Sequence, residues 1–158
     1  MVKGLAFKPG YSDKYDTLEK MIAYENSLEP KTLPGCKNFV KLFRIFEFII
    51  SCIDAIGALE DSQNASSVCK IVYTKTLAKH HSWFLQKRVY FSLYYLPTKK
   101  EIYSKIASTM SSEPSEDIQS LLSEFTQSGH KVLAICEEIL TENDLLDICW
   151  VNTFHVAL

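Results

Sequence analysis

The stretch PGCKNFVKLFRIFEFIISCIDAIGAL, residues 34–59, decides the fold of this chain. Pro34 and Gly35 open it, and apolar side chains then cover most of a helical circumference: Phe39, Val40, Leu42, Phe43, Ile45, Phe46, Phe48, Ile49, Ile50, Ile53 and Ile56. A helix over 36–59 with so wide an apolar surface is expected at the centre of its domain. At 1.5 Å per residue it would run about 35 Å. Glu47 and Asp54 interrupt its most apolar part, which is shorter than the roughly 20 apolar residues a membrane span needs. It reads as a buried helix.

The pattern stays helical in both directions. Before it, Ser12 is a candidate N-cap, Leu18, Met21, Ile22 and Leu28 recur at helical spacing, and Pro30 ends the helix. After it, residues 60–66 form a polar loop. Residues 67–96 contain neither Gly nor Pro and read as one long helix, or two meeting near His80-His81, closed by Pro97. Thr98-Lys99-Lys100-Glu101 has the form of a capping box, with Ile102, Ile106 and Met110 facing inward. Pro114 stands near an acid-rich first turn, and Ile118, Leu122, Leu133 and Leu140 carry a last helix with a bend expected at Gly129. The fold class is an all-α bundle of about five or six helices, a single domain over residues 1–158.

The net charge of −2 over 158 residues gives no footprint for nucleic acid, so any cationic site must be local. The five cysteines lie more than ten residues apart, which fits reduced thiols and a cytoplasmic protein without a metal knuckle. No signal peptide is expected at MVKGLAFKPG.

Lys37, Lys41 and Arg44, at spacings of four and three, fall within one narrow arc of the central helix. Three like charges repel unless water, an acid or an anionic ligand relieves them. The arc is either a solvated stripe or a site for a phosphate-like headgroup at one end of an apolar interior. The block AKHHSWFLQKRVYFSLYYLP, residues 78–97, pairs His80 and His81 with Trp83 and a run of aromatics. Each histidine reads either as a structural hydrogen-bonder or as a ligand contact, and Trp83 suits a core, a pocket mouth or a membrane interface. No metal-ligand spacing, nucleophile elbow or phosphate-cradling loop is present, so neither an enzyme nor a cofactor is expected.

Three blocks in order resemble the glycolipid transfer protein family, in its branch that takes a phosphate headgroup. DKYDTLEKMIAYE (13–25) is similar to the family's Y-x-x-L-x-x-M-x-x-x-E helix. PGCKNFVKLFRIFEFI (34–49) is similar to its G-C-R-x-x-x-R-L-x-R headgroup helix. The 78–97 block resembles H-x-W-x-x-R…L-P-T-x-E, and ENDLLDI (142–148) resembles the acid-rich close of that branch. The tail, 149–158, matches nothing.

The resemblance implies a two-layer all-α carrier that encloses ceramide chains and holds the headgroup in a surface recess. Lys37 and Lys41 stand where the phosphate-binding branch has two arginines, which keeps charge and loses the bidentate fork. The sugar-binding branch has tryptophan at the position of Lys41. Arg44 matches a further basic position, and His81 matches the histidine that bonds the ceramide amide carbonyl. The early helices that carry the family's amide-binding aspartate are not matched, and Asp16 and Lys20 show the same D-x-x-x-K spacing. The implied partners are a sphingolipid such as ceramide 1-phosphate and, transiently, membranes. A bundle lacking those helices would expose apolar surface open to self-association. The alternative is a lipid-free helical scaffold or protein-interaction module.

Overall fold

The structure, a computed structural model, describes residues 12–110 and 116–148. The described residues form six α-helices: α1 (Leu18–Asn26), α2 (Pro34–Gly57), α3 (Ala65–Lys75), α4 (Trp83–Tyr94), α5 (Lys99–Met110) and α6 (Glu116–Glu142). A short 3₁₀ turn at Ser12–Lys14 precedes α1, and another at Ala78–His80 lies between α3 and α4. Ser12 opens the first of those turns. The N-cap of α1 is Thr17, whose hydroxyl accepts from the Lys20 amide.

The α1–α2 junction explains the start of the central helix. The first amides of a helix have no partner within it. Glu25, fully buried on α1, takes two of them: its carboxylate accepts from Gly35 N at 2.6 Å and Cys36 N at 2.9 Å. Tyr15 Oη donates to the same carboxylate at 3.2 Å. Burial alone would raise the Glu25 carboxyl, but these hydrogen bonds outweigh it and hold it below the usual range. Gly35 is required for close approach, because a Cβ there would lie 2.7 Å from Glu25 Oε1 and 2.8 Å from Met21 Sδ.

Packing puts α2 at the centre, against α1, α3 and α6. α6 runs antiparallel to it. Cys36 and Leu140 share one cluster, Gly129 meets Ile50 further along, and Gly57 faces Gln119 at the other end. α6 passes through Gly129 as one helix, so this glycine serves close packing. Its absent side chain makes room for Ile50. Met21, Ile22, Val40, Phe43, Ile50, Leu133 and Leu140 fill the main core.

Residues 67–96 resolve into two helices that meet at His80-His81. Asn64 caps α3 through Ser66 N, and Ser82 caps α4 through Leu85 N. The capping box also forms, with Thr98 N donating to Glu101 Oε2 and Glu101 N donating to Thr98 Oγ1. Lys99 Nζ donates to the carbonyls of Gly57 and Leu59, both at 2.8 Å, where α2 ends. Pro114 and residues 149–158 lie outside the described residues, as does the side chain of Met110.

The central helix is open on one flank, which its sequence pattern does not foretell. Leu42, Ile45 and Ile49 are exposed although the rest of its apolar surface is covered. Cys52 on α2 and Cys69 on α3 meet in a second core cluster, despite their distance along the chain.

Candidate functional site

The three cations of α2 enter the bundle step by step. Lys37 is exposed, Lys41 is half-buried, and Arg44 is buried at 9% exposure. Arg44 Nη1 donates to Glu47 Oε2 at 3.2 Å, one turn further along the helix. Arg44 Nε is out of solvent with no hydrogen-bond partner among the described residues. Burying a guanidinium costs several kcal/mol unless its donors are matched, and one carboxylate matches only part of this one.

The histidines arrive from the other side of the junction. His80 ends the 3₁₀ turn after α3 and lies within electrostatic reach of Arg44 and Glu47. Burial first, then the charge of Arg44, hold His80 below the ordinary histidine range, with Glu47 partly opposing. Burial does the same for His81. Both rings are therefore neutral at pH 7.

Tyr73, wholly buried on α3, sets the orientation of His81. Its hydroxyl lies 2.8 Å from His81 Nδ1. The Tyr73 ring meets Phe48 of α2 and Tyr90 of α4 edge-on, at centroid distances of 6.0 and 5.2 Å. Burial raises the Tyr73 phenol, so it keeps its proton. In the tautomer in which that proton is donated to Nδ1, the Nε2–H of His81 is a donor. Gln86 Nε2 donates to the carbonyls of Ala78 and His81, at 2.8 and 3.0 Å, and fastens the turn to α4.

Tertiary structure thus joins Arg44 to the histidine pair and continues the line outward through Lys41 and Lys37. Asp16 and Lys20 instead form an exposed ion pair with each other at 3.1 Å, at the start of α1. Glu47 and Tyr73 are participants that the sequence does not single out for the site, and it leaves His80 open between a structural hydrogen-bonder and a ligand contact. Glu47 has a local signal, an acid three residues after Arg44. Tyr73 has none, since one tyrosine among eight gives no hint that it faces a histidine.

Next to this site, α4 carries no buried residue at all. Its outer face presents Trp83 at 70% and Phe84 at 65% exposure, then Phe91, Tyr94 and Tyr95. Lys87 lies over Trp83 and Arg88 over Phe84, with centroid distances of 5.7 and 5.8 Å. No helix among the described residues is long and apolar enough to cross a membrane. A cleft of about 290 Å³ between α2, α5 and α6, lined by Asp54, Tyr103 and Gln119, lies towards the far end of α2 and holds none of the site residues.

This fold and site define an all-helical bundle with a cation carried inward beside neutral histidines. The sequence pattern of the glycolipid transfer protein (GLTP) family matches residues 5–108. Ceramide-1-phosphate transfer protein from Mus musculus is 26% identical over 147 residues, covering 87% of this chain and 66% of that protein. The chain therefore spans just under two thirds of the length of this curated relative. The apo-form crystal structure of the mouse protein superposes with a TM-score of 0.76 at 26% identity, covering 87% of this chain and 68% of that one. A human ceramide-1-phosphate transfer protein crystallised with 12:0 ceramide 1-phosphate shares the fold, with a TM-score of 0.76 at 22% identity, over 89% of this chain and 69% of that one. The chain belongs to the glycolipid transfer protein family. Members of this family are lipid transfer proteins, not enzymes.

Proposed function

We propose that this chain carries a phosphate-headgroup sphingolipid, such as ceramide 1-phosphate, between membranes without vesicles. The observation that carries the reading is Arg44, a buried guanidinium with a donor unmatched among the described residues, beside His80 and in line with Lys41 and Lys37. A phosphate oxygen is a suitable acceptor for such a donor, and charge-assisted hydrogen bonds are roughly twice as strong as neutral ones. His81, held by Tyr73, would donate Nε2–H to the amide carbonyl of the lipid. Asp16 and Lys20 would reach the amide only by opening their own ion pair. The chains would leave water for an apolar lining, worth about 0.8 kcal/mol per buried CH₂.

The outer face of α4 supports transient membrane contact. Trp and Tyr side chains favour the membrane–water interface, and Lys87 and Arg88 add attraction to anionic lipid. Residues 1–158 act as one domain in this reading, and the setting is cytoplasmic.

The test is extraction of labelled ceramide 1-phosphate from vesicles, with glucosylceramide as the competing headgroup. Lys37→Ala with Lys41→Ala should cost about tenfold in ceramide 1-phosphate uptake and leave glucosylceramide uptake unchanged. His81→Ala should weaken both. Unchanged ceramide 1-phosphate extraction in the double lysine variant would remove the proposed headgroup site. The second reading, a lipid-free protein-interaction module, is favoured by the open flank of α2, and equal failure to extract either lipid would support it.

A further inference from the structure

We infer that the outer face of α6, widened by the open flank of α2, is a self-association surface on which a second copy of this chain packs antiparallel about a two-fold axis near Ser128. This inference is independent of the lipid reading.

Leu121, Phe125, Ser128, Val132 and Ile135 are all exposed on α6 and follow one another at spacings of four, three, four and three. That is the seam of a coiled coil. The positions that face the bundle, including Thr126, Gly129, Leu133 and Leu140, lie on another side of the helix. α6 therefore has two apolar faces, and the described residues cover one of them.

The outer seam is close to a palindrome. Leu121 and Ile135 stand seven residues either side of Ser128, and Phe125 and Val132 stand three and four away. An antiparallel crossing at Ser128 would set Leu121 against Ile135 of the second copy, and Phe125 against Val132. The small central side chain lets the two helices approach. Charge selects the same arrangement. Glu124 and Lys131 are exposed on one edge of the seam, so the antiparallel crossing opposes them twice. A parallel crossing would face Glu124 with Gly129 and Lys131 with Cys136, and would form neither charge pair.

α2 enlarges the surface. Ile50 meets Gly129, and the ring Nε2 of His130 pairs with Asp54 Oδ2 at 2.6 Å, which fixes the rotation of both helices. At 3.6 residues per turn, Leu42, Ile45 and Ile49 then fall on the same side of the helix pair as the α6 seam, opposite the His130–Asp54 contact. The seven apolar side chains expose roughly 600 Å² together, at the upper end for a monomer and near the ~800 Å² per partner of a stable interface.

Sedimentation velocity on the full chain over a dilution series tests this, with lipid analysis of the same sample. The expected result is a dimer that dissociates on dilution, with or without bound lipid, and Phe125→Glu should make it monomeric. Glu124→Lys or Lys131→Glu alone should weaken the dimer about tenfold, and the two together should restore it. These exposed charges leave the core intact if Phe125→Glu fails to fold. In a Cys136→Ser, Cys149→Ser background, Ser128→Cys should cross-link copies through a disulfide when oxidised glutathione is supplied. A monomer at every concentration, with or without bound lipid, would overturn the inference. So would a dimer whose strength ignores Phe125→Glu or is not restored by the paired charge swap.

Discussion

Glu25 is out of solvent and accepts from the amides of Gly35 and Cys36, so Glu25→Gln turns an NH₂ group towards donors that need an acceptor. The expected cost is about 2 kcal/mol or more, read from urea denaturation. The folded carboxyl lies below the ordinary value of 4.5, so its contribution is complete above that value and is lost as pH falls through the folded one. Glu25→Gln should therefore flatten the acid limb of the stability profile. An unchanged limb would put the acid sensitivity elsewhere. His80 and His81 are also depressed, from 6.5, and act at higher pH. They remain uncharged in the fold while the unfolded chain takes up protons, so stability should already start to fall as pH drops below about 6.5. Cys36 is pushed up to about 12 by burial and then by Glu25, so alkylating reagents at neutral pH should leave it unmodified.

Among the helices, the α2–α6 contact and the position of α4 give opposite expectations. A Cβ at Gly129 would run into Ile50 Cδ1 and lie 2.9 Å from its Cγ1. Gly129→Ala should therefore destabilise by about 1–3 kcal/mol, despite the helix propensity alanine brings. Ile50→Val removes the clashing Cδ1, and the double variant should be more stable than the summed single effects. Strict additivity would mean that the two residues do not meet as described. α4 buries no residue, whereas α2 and α6 share the main core. Hydrogen exchange should accordingly open α4 well before α2 and α6. Equal protection would place a covering on α4 in solution.

For the whole molecule, ligand binding and stability are linked. A lipid that binds only the folded chain, at about 100 times its Kd, adds ~2.7 kcal/mol of stability. Short-chain ceramide 1-phosphate should raise the melting temperature by several degrees, and the matching glucosylceramide should do so much less. Equal shifts would mean that the cation line does not select the headgroup. The same melts, run across protein concentration, separate this effect from stabilisation by dimerisation.

Several features were legible because they are local. Helix periodicity, the Thr98–Glu101 capping box, the division at His80-His81 and the shared arc of Lys37, Lys41 and Arg44 depend on residues within a few positions of one another. Other features depend on which helices become neighbours. Six of residues 43–50 are apolar, so their pattern marks a central helix without saying which side stays open. The α6 contact buries Ile50, while Ile49, one residue away, remains exposed. Arg44 and His80 are 36 positions apart, and no local rule brings them together. The sequence by itself determined the helices and the family blocks they carry. Only packing decided that a buried arginine lies beside neutral histidines and that an apolar seam faces outward, because burial and electrostatic environment are properties of neighbours in space.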